Sequence, residues 1–271
     1  MTDLIHPTAV IHPGANLHKT VHIGAYVVIG QQVTLGPRTR VGHHAVIEGW
    51  AEIGADNHIF PGVVIGMEPQ DRNYRGEPSG VKICDRNQIR EYVTIHRASG
   101  DQQFTCIGSD NLLMANVHIG HNCQIADQVV MANAVALSGH VQVESQANIS
   151  GVLGIHQFVH IGQLAMIGGM SRIIRDVPPL MLVEGNPAQV RALNQVGLRR
   201  YGIYDLLQGE MRSILKQTFR YLYRSGLKLE EALAQVESLS DHPLVQHLCQ
   251  FMRAAQSRRG LTPGRQRWSA V

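Results

Sequence analysis

The stretch "VHIGHNCQIA", residues 117–126, carries His118 and His121 three apart, Cys123 beside them, and no acidic neighbour. Two chemistries fit such residues. Zinc takes imidazole and thiolate ligands. A neutral imidazole near its ordinary pKa takes a proton from a hydroxyl at physiological pH. The third reading is plain surface, and the backbone that carries the stretch decides among them.

That backbone is written in a period of six. Ile5, Ile11, Leu17, Ile23, Ile29, Leu35, Val41, Ile47, Ile53, Ile59 and Ile65 are all aliphatic, and the run resumes at Ile83, Ile89 and Ile95. From Ile107 it continues in sixes through Leu113, Ile119, Ile125, Met131 and Leu137 to Ile173. A second position, two residues earlier, is small or β-branched, as at Ala9, Ala15, Val21 and Val27. Inward residues at i−2 and i make a short strand. A Gly often follows the aliphatic, as in Ile23-Gly24 and Leu35-Gly36, where it is expected to relax the backbone for the turn. Short strands turning every six residues make a parallel β-helix, and three units close a triangular coil.

The prism is expected over residues 1–187, roughly eight coils and about 40 Å tall at the spacing of neighbouring strands. Residues 67–80 and 98–105 are polar and rich in turn formers, so they loop out. The prism is expected to stop at "DVPPLMLVEGNPAQV", where Pro178-Pro179 cannot continue it. Residues 188–271 show apolar spacings of three and four and form an α-helical domain. Its tail, "SRRGLTPGRQRWSAV", is basic and expected to fray. The class is mainly β with a C-terminal α-helical part.

Composition agrees with a core of small and β-branched residues: 44% hydrophobic, only 5% aromatic, with 27 Gly and 15 His. Four separated cysteines form neither a disulfide framework nor a zinc ribbon. No signal peptide opens the chain, and no run of about 18 apolar residues exists to span a membrane, so a cytoplasmic protein is expected. The net charge of +3 is divided unevenly. Residues 1–187 hold 11 Lys/Arg against 15 Asp/Glu, net −4, and residues 188–271 hold 13 against 6, net +7. The basic part suits an acidic partner.

Stacking coils of eighteen turns sequence into geometry. His121 lies two residues past the inward Ile119 and points outward near a corner. Gly139 lies one coil on and Gln157 two, with His140 and His156 flanking them. Cys123 falls at an inward small position and belongs to the core. Without a nearby Asp, Glu or outward Cys to complete a ligand set, no metal is called for. Gly139, lacking a side chain, lets its backbone N–H approach a developing oxyanion. A base and an oxyanion donor about 5 Å apart suit acyl transfer to an alcohol.

The repeats resemble those of the hexapeptide-repeat acyltransferases, whose prism winds left-handed. Within that group "HIGHNC", "SGHV", "GIHQF", "IGGMS", "DVPPLMLVEGNPA", "GLRRYG" and "REYVTIHR" are similar to the UDP-N-acetylglucosamine acyltransferases that open lipid A synthesis, in order over residues 1 to about 255. The resemblance implies transfer of a 3-hydroxyacyl chain from acyl carrier protein to the glucosamine 3-hydroxyl of UDP-N-acetylglucosamine, without a cofactor or nucleic acid. It implies His121 as base and Gly139 as oxyanion donor. It implies that His118, His140, His156, Gln157 and Asp71 bind the sugar nucleotide. Asn194 and Arg200 would meet the nucleotide end, Gly169 the end of the acyl chain, and a homotrimer would place the sites between prisms. Three residues depart from the family. Asn122 stands where Asp usually follows the catalytic histidine, Asn73 replaces a loop Lys with Arg72 and Arg75 adjacent, and Val196 replaces a Glu. Two other readings stay open: a different acyl- or acetyltransferase of the superfamily, and a prism that binds nucleotide sugar without turnover.

Overall fold

The computed structural model describes residues 4–264. The hexads form strands of two to four residues that stack in parallel into three sheets of eight, eight and ten strands, the last strand of the third being antiparallel. The first face runs from Val10–Ile11 to Leu153–Ile155, the second from Asn16–Leu17 to His160–Ile161, and the third from His22–Ile23 to the strands after residue 180. The architecture is a left-handed parallel β-helix followed by C-terminal helices.

Register follows the coil: Val28 pairs with Val46 and His118 with Ala136. Across the first loop the offset grows to 30, Val64 against Thr94, and across the second to 24, Thr94 against His118. Both insertions are whole hexads, so the inward phase survives them. The repeated aliphatics from Ile23 through Ile173 are buried, as are the small i−2 residues Ala45, Ala51 and Cys123. Leu4 and Ile5 at the open N-terminal end are exposed.

The glycines work differently from the sequence expectation. The left-handed residue of each corner lies two positions after the glycine and is seldom glycine itself: Tyr26, Arg38, His44 and Asp56 all have φ between 56° and 59°. The glycine instead lets successive coils touch, since a Cβ on Gly36 would sit 2.6 Å from the carbonyl carbon of Gly54.

Pro178-Pro179 does not end the prism. The prolines lie in the turn over Gly162, Leu180 takes the left-handed conformation, and Met181–Glu184 pairs parallel with the third face. Gln189–Leu193 then folds back antiparallel upon it. Residues 189–193, grouped above with the helices, are therefore a strand of the prism, because Val190 and Leu193 bury against its end. The helices begin with α1 (Gln195–Arg200), followed by a 3-10 segment and by α2 (Met211–Arg224), α3 (Leu229–Glu237) and α4 (Pro243–Gln256).

Two polar links fasten the helices to the prism. His247 of α4 and His160 of the second face both bond Glu144, at 2.7 and 2.9 Å. Asp176, fully buried, accepts from Arg258 at 2.9 Å, and its backbone bridges to Leu261. Gly264 bridges to Val190. Residues 257–264 are thus fastened rather than frayed, because a buried carboxylate requires its guanidinium partner. Residues 265–271 of the tail lie outside the described residues.

Candidate active site

The corner between the first and second faces carries the histidines. His118 leaves the strand His118–Ile119 outward, and its Nδ1 lies 2.8 Å from Thr94 Oγ1 in the coil beneath. His96 approaches the His118 ring at 5.2 Å and donates from Nδ1 to the Glu68 carbonyl at 2.6 Å. His121 lies half-buried at the turn, 5.2 Å from the His140 ring, which stacks on Phe158 at 4.6 Å. Burial pushes the pKa of His96, His118 and His140 below the usual imidazole range. These rings are therefore neutral near pH 7.

Gly139 lies directly against His121. A Cβ there would come within 2.5 Å of Cε1 and closer still to Nε2. The residue is buried, and its N–H finds no acceptor among the described residues. A buried, unengaged donor beside a base is what an oxyanion needs.

Asn122 fixes the other side of the ring. It is buried in the left-handed region (φ 59°), which asparagine tolerates. Its Oδ1 lies 2.8 Å from His121 Nδ1 and accepts from Ser99 N–H at 2.9 Å. Its Nδ2 donates to the Ser99 carbonyl at 3.0 Å and to Gln103 Oε1 at 2.6 Å. Oδ1 is an acceptor, so the imidazole proton lies on Nδ1 and the Nε2 lone pair faces Gly139.

Both loops return to this corner. Asp71 of the first accepts from Asn73 N–H at 2.9 Å and from Ser99 Oγ at 2.8 Å. Those bonds hold its carboxyl below the usual range, and the charges of His121 and His140 act in the same direction. Arg97 holds the loop's base, donating to the Gly66 carbonyl, Tyr74 Oη and Glu68. Arg75 is turned back onto the carbonyls of Arg72 and Tyr74. His156 and Gln157 are exposed one coil above Gly139, and Arg259 donates to His156 Nδ1 at 2.9 Å.

Three of the sequence-derived residues lie elsewhere. Asn194 and Arg200 line a pocket of about 460 Å³ on the third face, with Val130, Met166, Leu182 and Val196. Asn194 is buried and caps α1, accepting from Gly197 N–H at 3.0 Å and donating to the Leu164 carbonyl at 2.8 Å. Gly169 follows the third-face strand Met166–Ile167 and is exposed, with nothing closer than 3.4 Å to an added Cβ. In a triangular prism the third face lies opposite the corner between the first and second. One chain therefore does not bring Asn194, Arg200 and Gly169 to His121.

Sequence reasoning missed His96, Arg97, Ser99 and Gln103. The first two stand inside "REYVTIHR", so a signal for them existed. Ser99 and Gln103 belong to a loop with no repeat, so no register arithmetic reaches them. Among the described residues no three His, Cys, Asp or Glu side chains converge as a metal cluster, and no helix is long and apolar enough to cross a membrane.

Comparison with known proteins gives one answer. A family profile described as "Udp N-acetylglucosamine O-acyltransferase; Domain 2" matches residues 176–262. The acyl-[acyl-carrier-protein]–UDP-N-acetylglucosamine O-acyltransferase of Gloeothece citriformis is 58% identical over 82% of this chain and 80% of its own length. That of Thermodesulfovibrio yellowstonii is 48% identical over 82% and 85%. Among solved structures, the Francisella novicida UDP-N-acetylglucosamine acyltransferase superposes with a TM-score of 0.89 at 33% identity, covering 96% of this chain and 94% of that one. The Arabidopsis enzyme gives 0.81 at 36% identity, covering 96% and 100%. With relatives 48–58% identical over about four-fifths of both chains and solved structures that superpose over nearly its whole length, the chain belongs to the UDP-N-acetylglucosamine O-acyltransferase family.

Proposed function

We propose that the chain transfers a 3-hydroxyacyl group from acyl carrier protein to the 3-hydroxyl of UDP-N-acetylglucosamine, with His121 as general base. The observation that carries this reading is the corner at which the His121 ring lies against Gly139, a buried residue whose N–H finds no acceptor among the described residues. Nε2 takes the proton of the sugar hydroxyl as the oxygen attacks the thioester carbonyl. The carbonyl oxygen becomes an oxyanion and accepts from Gly139 N–H. Collapse expels the carrier thiolate, which takes the proton back from the imidazolium. The products are an ester and a free thiol.

His118, His140, His156, Gln157 and Asp71 bind the sugar nucleotide around that corner. The opposite placement of Asn194 and Arg200 supports a homotrimer in which a neighbouring copy supplies the nucleotide end. Arg200 then meets the phosphates and Gly169 bounds the acyl chain. The reaction takes place in the cytoplasm, where carrier protein and nucleotide sugar are both available.

The test is acyl transfer by the purified chain, with acyl carrier protein and UDP-N-acetylglucosamine as substrates. Product ester at the 3-hydroxyl is expected, and its absence with every chain length offered overturns the reading. Gly169→Met adds a side chain that the open surroundings accommodate. In a competition assay it is expected to shift preference toward shorter chains, each excluded methylene being worth about 0.8 kcal/mol. An unchanged profile removes Gly169 from the acyl site.

A further inference from the structure

Asparagine is an ambiguous partner for a catalytic histidine. Turned by 180°, its amide presents –NH₂ to the ring, so Nδ1 becomes the acceptor and the proton moves to Nε2. The nitrogen facing Gly139 then has no lone pair for a hydroxyl proton. A carboxylate cannot fail in this way, because both its oxygens accept. A site built on Asn122 therefore needs something that fixes the amide.

The second loop supplies it. The Ser99 peptide offers a donor to Oδ1 at 2.9 Å and an acceptor to Nδ2 at 3.0 Å, and a backbone N–H and C=O cannot exchange roles. Gln103 Oε1 adds a third bond at 2.6 Å on the Nδ2 side. Reversing the amide would set donor against donor and acceptor against acceptor at Ser99. Ser99 is itself held through Oγ to Asp71, which ties the lock to the first loop.

We propose that the loop 98–105 is the tautomer lock of the base: Ser99 and Gln103 are positioning residues that fix the Asn122 amide, and the amide keeps the His121 proton on Nδ1. The proposal rests on His121 being the base, and the test separates the two. Gln103 is exposed, so Gln103→Ala leaves the fold intact. In protein labelled with ¹⁵N-histidine at alkaline pH, with His121 assigned by its loss in His121→Ala, the neutral ring is expected to carry its proton on Nδ1. Gln103→Ala is expected to introduce a minority Nε2-protonated population and to lower kcat by no more than about twofold, because the two Ser99 bonds still favour the native amide, with KM unchanged. In an Asn122→Asp background the same Gln103→Ala change is expected to alter neither tautomer nor kcat.

A native His121 protonated on Nε2 overturns the lock. So does Gln103→Ala leaving the tautomer unchanged, whether kcat stays constant or falls equally in both backgrounds. Full activity in His121→Ala would instead overturn the base assignment, while the tautomer signals would still judge the lock.

Discussion

Two groups of histidines, one at a corner of the prism and one where α4 docks on it, are wired in opposite ways. At the candidate active site, His96, His118 and His121 bond a carbonyl, a hydroxyl and an amide. Where α4 docks, His160 and His247 bond the carboxylate of Glu144, which also accepts from Gln163 N–H at 2.7 Å. Burial alone would raise the Glu144 carboxyl, but the bonds and charges of His160 and His247 outweigh it and hold it at about 2. The bond to Glu144 outweighs burial at His247 as well and raises that imidazole. The docking cluster therefore carries charge and holds two parts together. At the site, burial lowers His96 and His118 and leaves those two rings neutral near pH 7, so the corner is wired by neutral hydrogen bonds.

The largest test of this contrast removes the proposed base. His121→Ala is expected to lower acyl transfer by about 10²–10⁴-fold with the fold intact, and activity within about threefold of the native chain would make the corner a binding surface. Gly139→Ala comes next. Its methyl cannot coexist with the His121 ring, so the ring must move, and a displacement of about 1 Å costs on the order of 10²-fold. A steady-state assay with retained near-native melting checks both.

Glu144→Gln should leave chemistry alone and act on stability, by about 2 kcal/mol for a charged hydrogen-bond partner. The pH dependence has a definite sign. A lowered carboxyl contributes stability above its unfolded pKa, and loses it as pH falls toward about 2. A raised imidazole contributes fully below its unfolded pKa, and loses it as pH rises through the folded value. The native advantage over Glu144→Gln should therefore peak at mildly acidic pH, between the ordinary carboxylate and imidazole ranges. A denaturant midpoint difference that is flat with pH would contradict the pairing.

The smallest and sharpest test converts one wiring into the other. Asn122→Asp gives the corner the carboxylate that the docking cluster already has. The acidic limb of kcat/KM is expected to move to higher pH by about one unit, with faster turnover near neutrality. Coincident profiles would mean that residue 122 contributes geometry alone.

The hexad carries most of the fold in plain view. Each coil repeats one local instruction, so counting eighteens from Ile119 sets His121 beside Gly139 from the residues alone. Both insertions are whole hexads, which is why the counting survives them. The glycine's role is not legible in the same way, because a turn conformation and a close approach leave the same mark in sequence. Four things are decided only in three dimensions. Ser99 and Gln103 reach Asn122 across 23 and 19 residues from a loop with no period. Asp176 anchors Arg258 from 82 residues away. Strand 189–193 joins the prism instead of the helices. Asn194 and Arg200 fall on the face opposite His121. A repeat propagates its geometry by nearest-neighbour stacking, so sequence alone determines it. Loops, tails and faces find their partners through single, unrepeated contacts, and only the closed prism settles which groups meet.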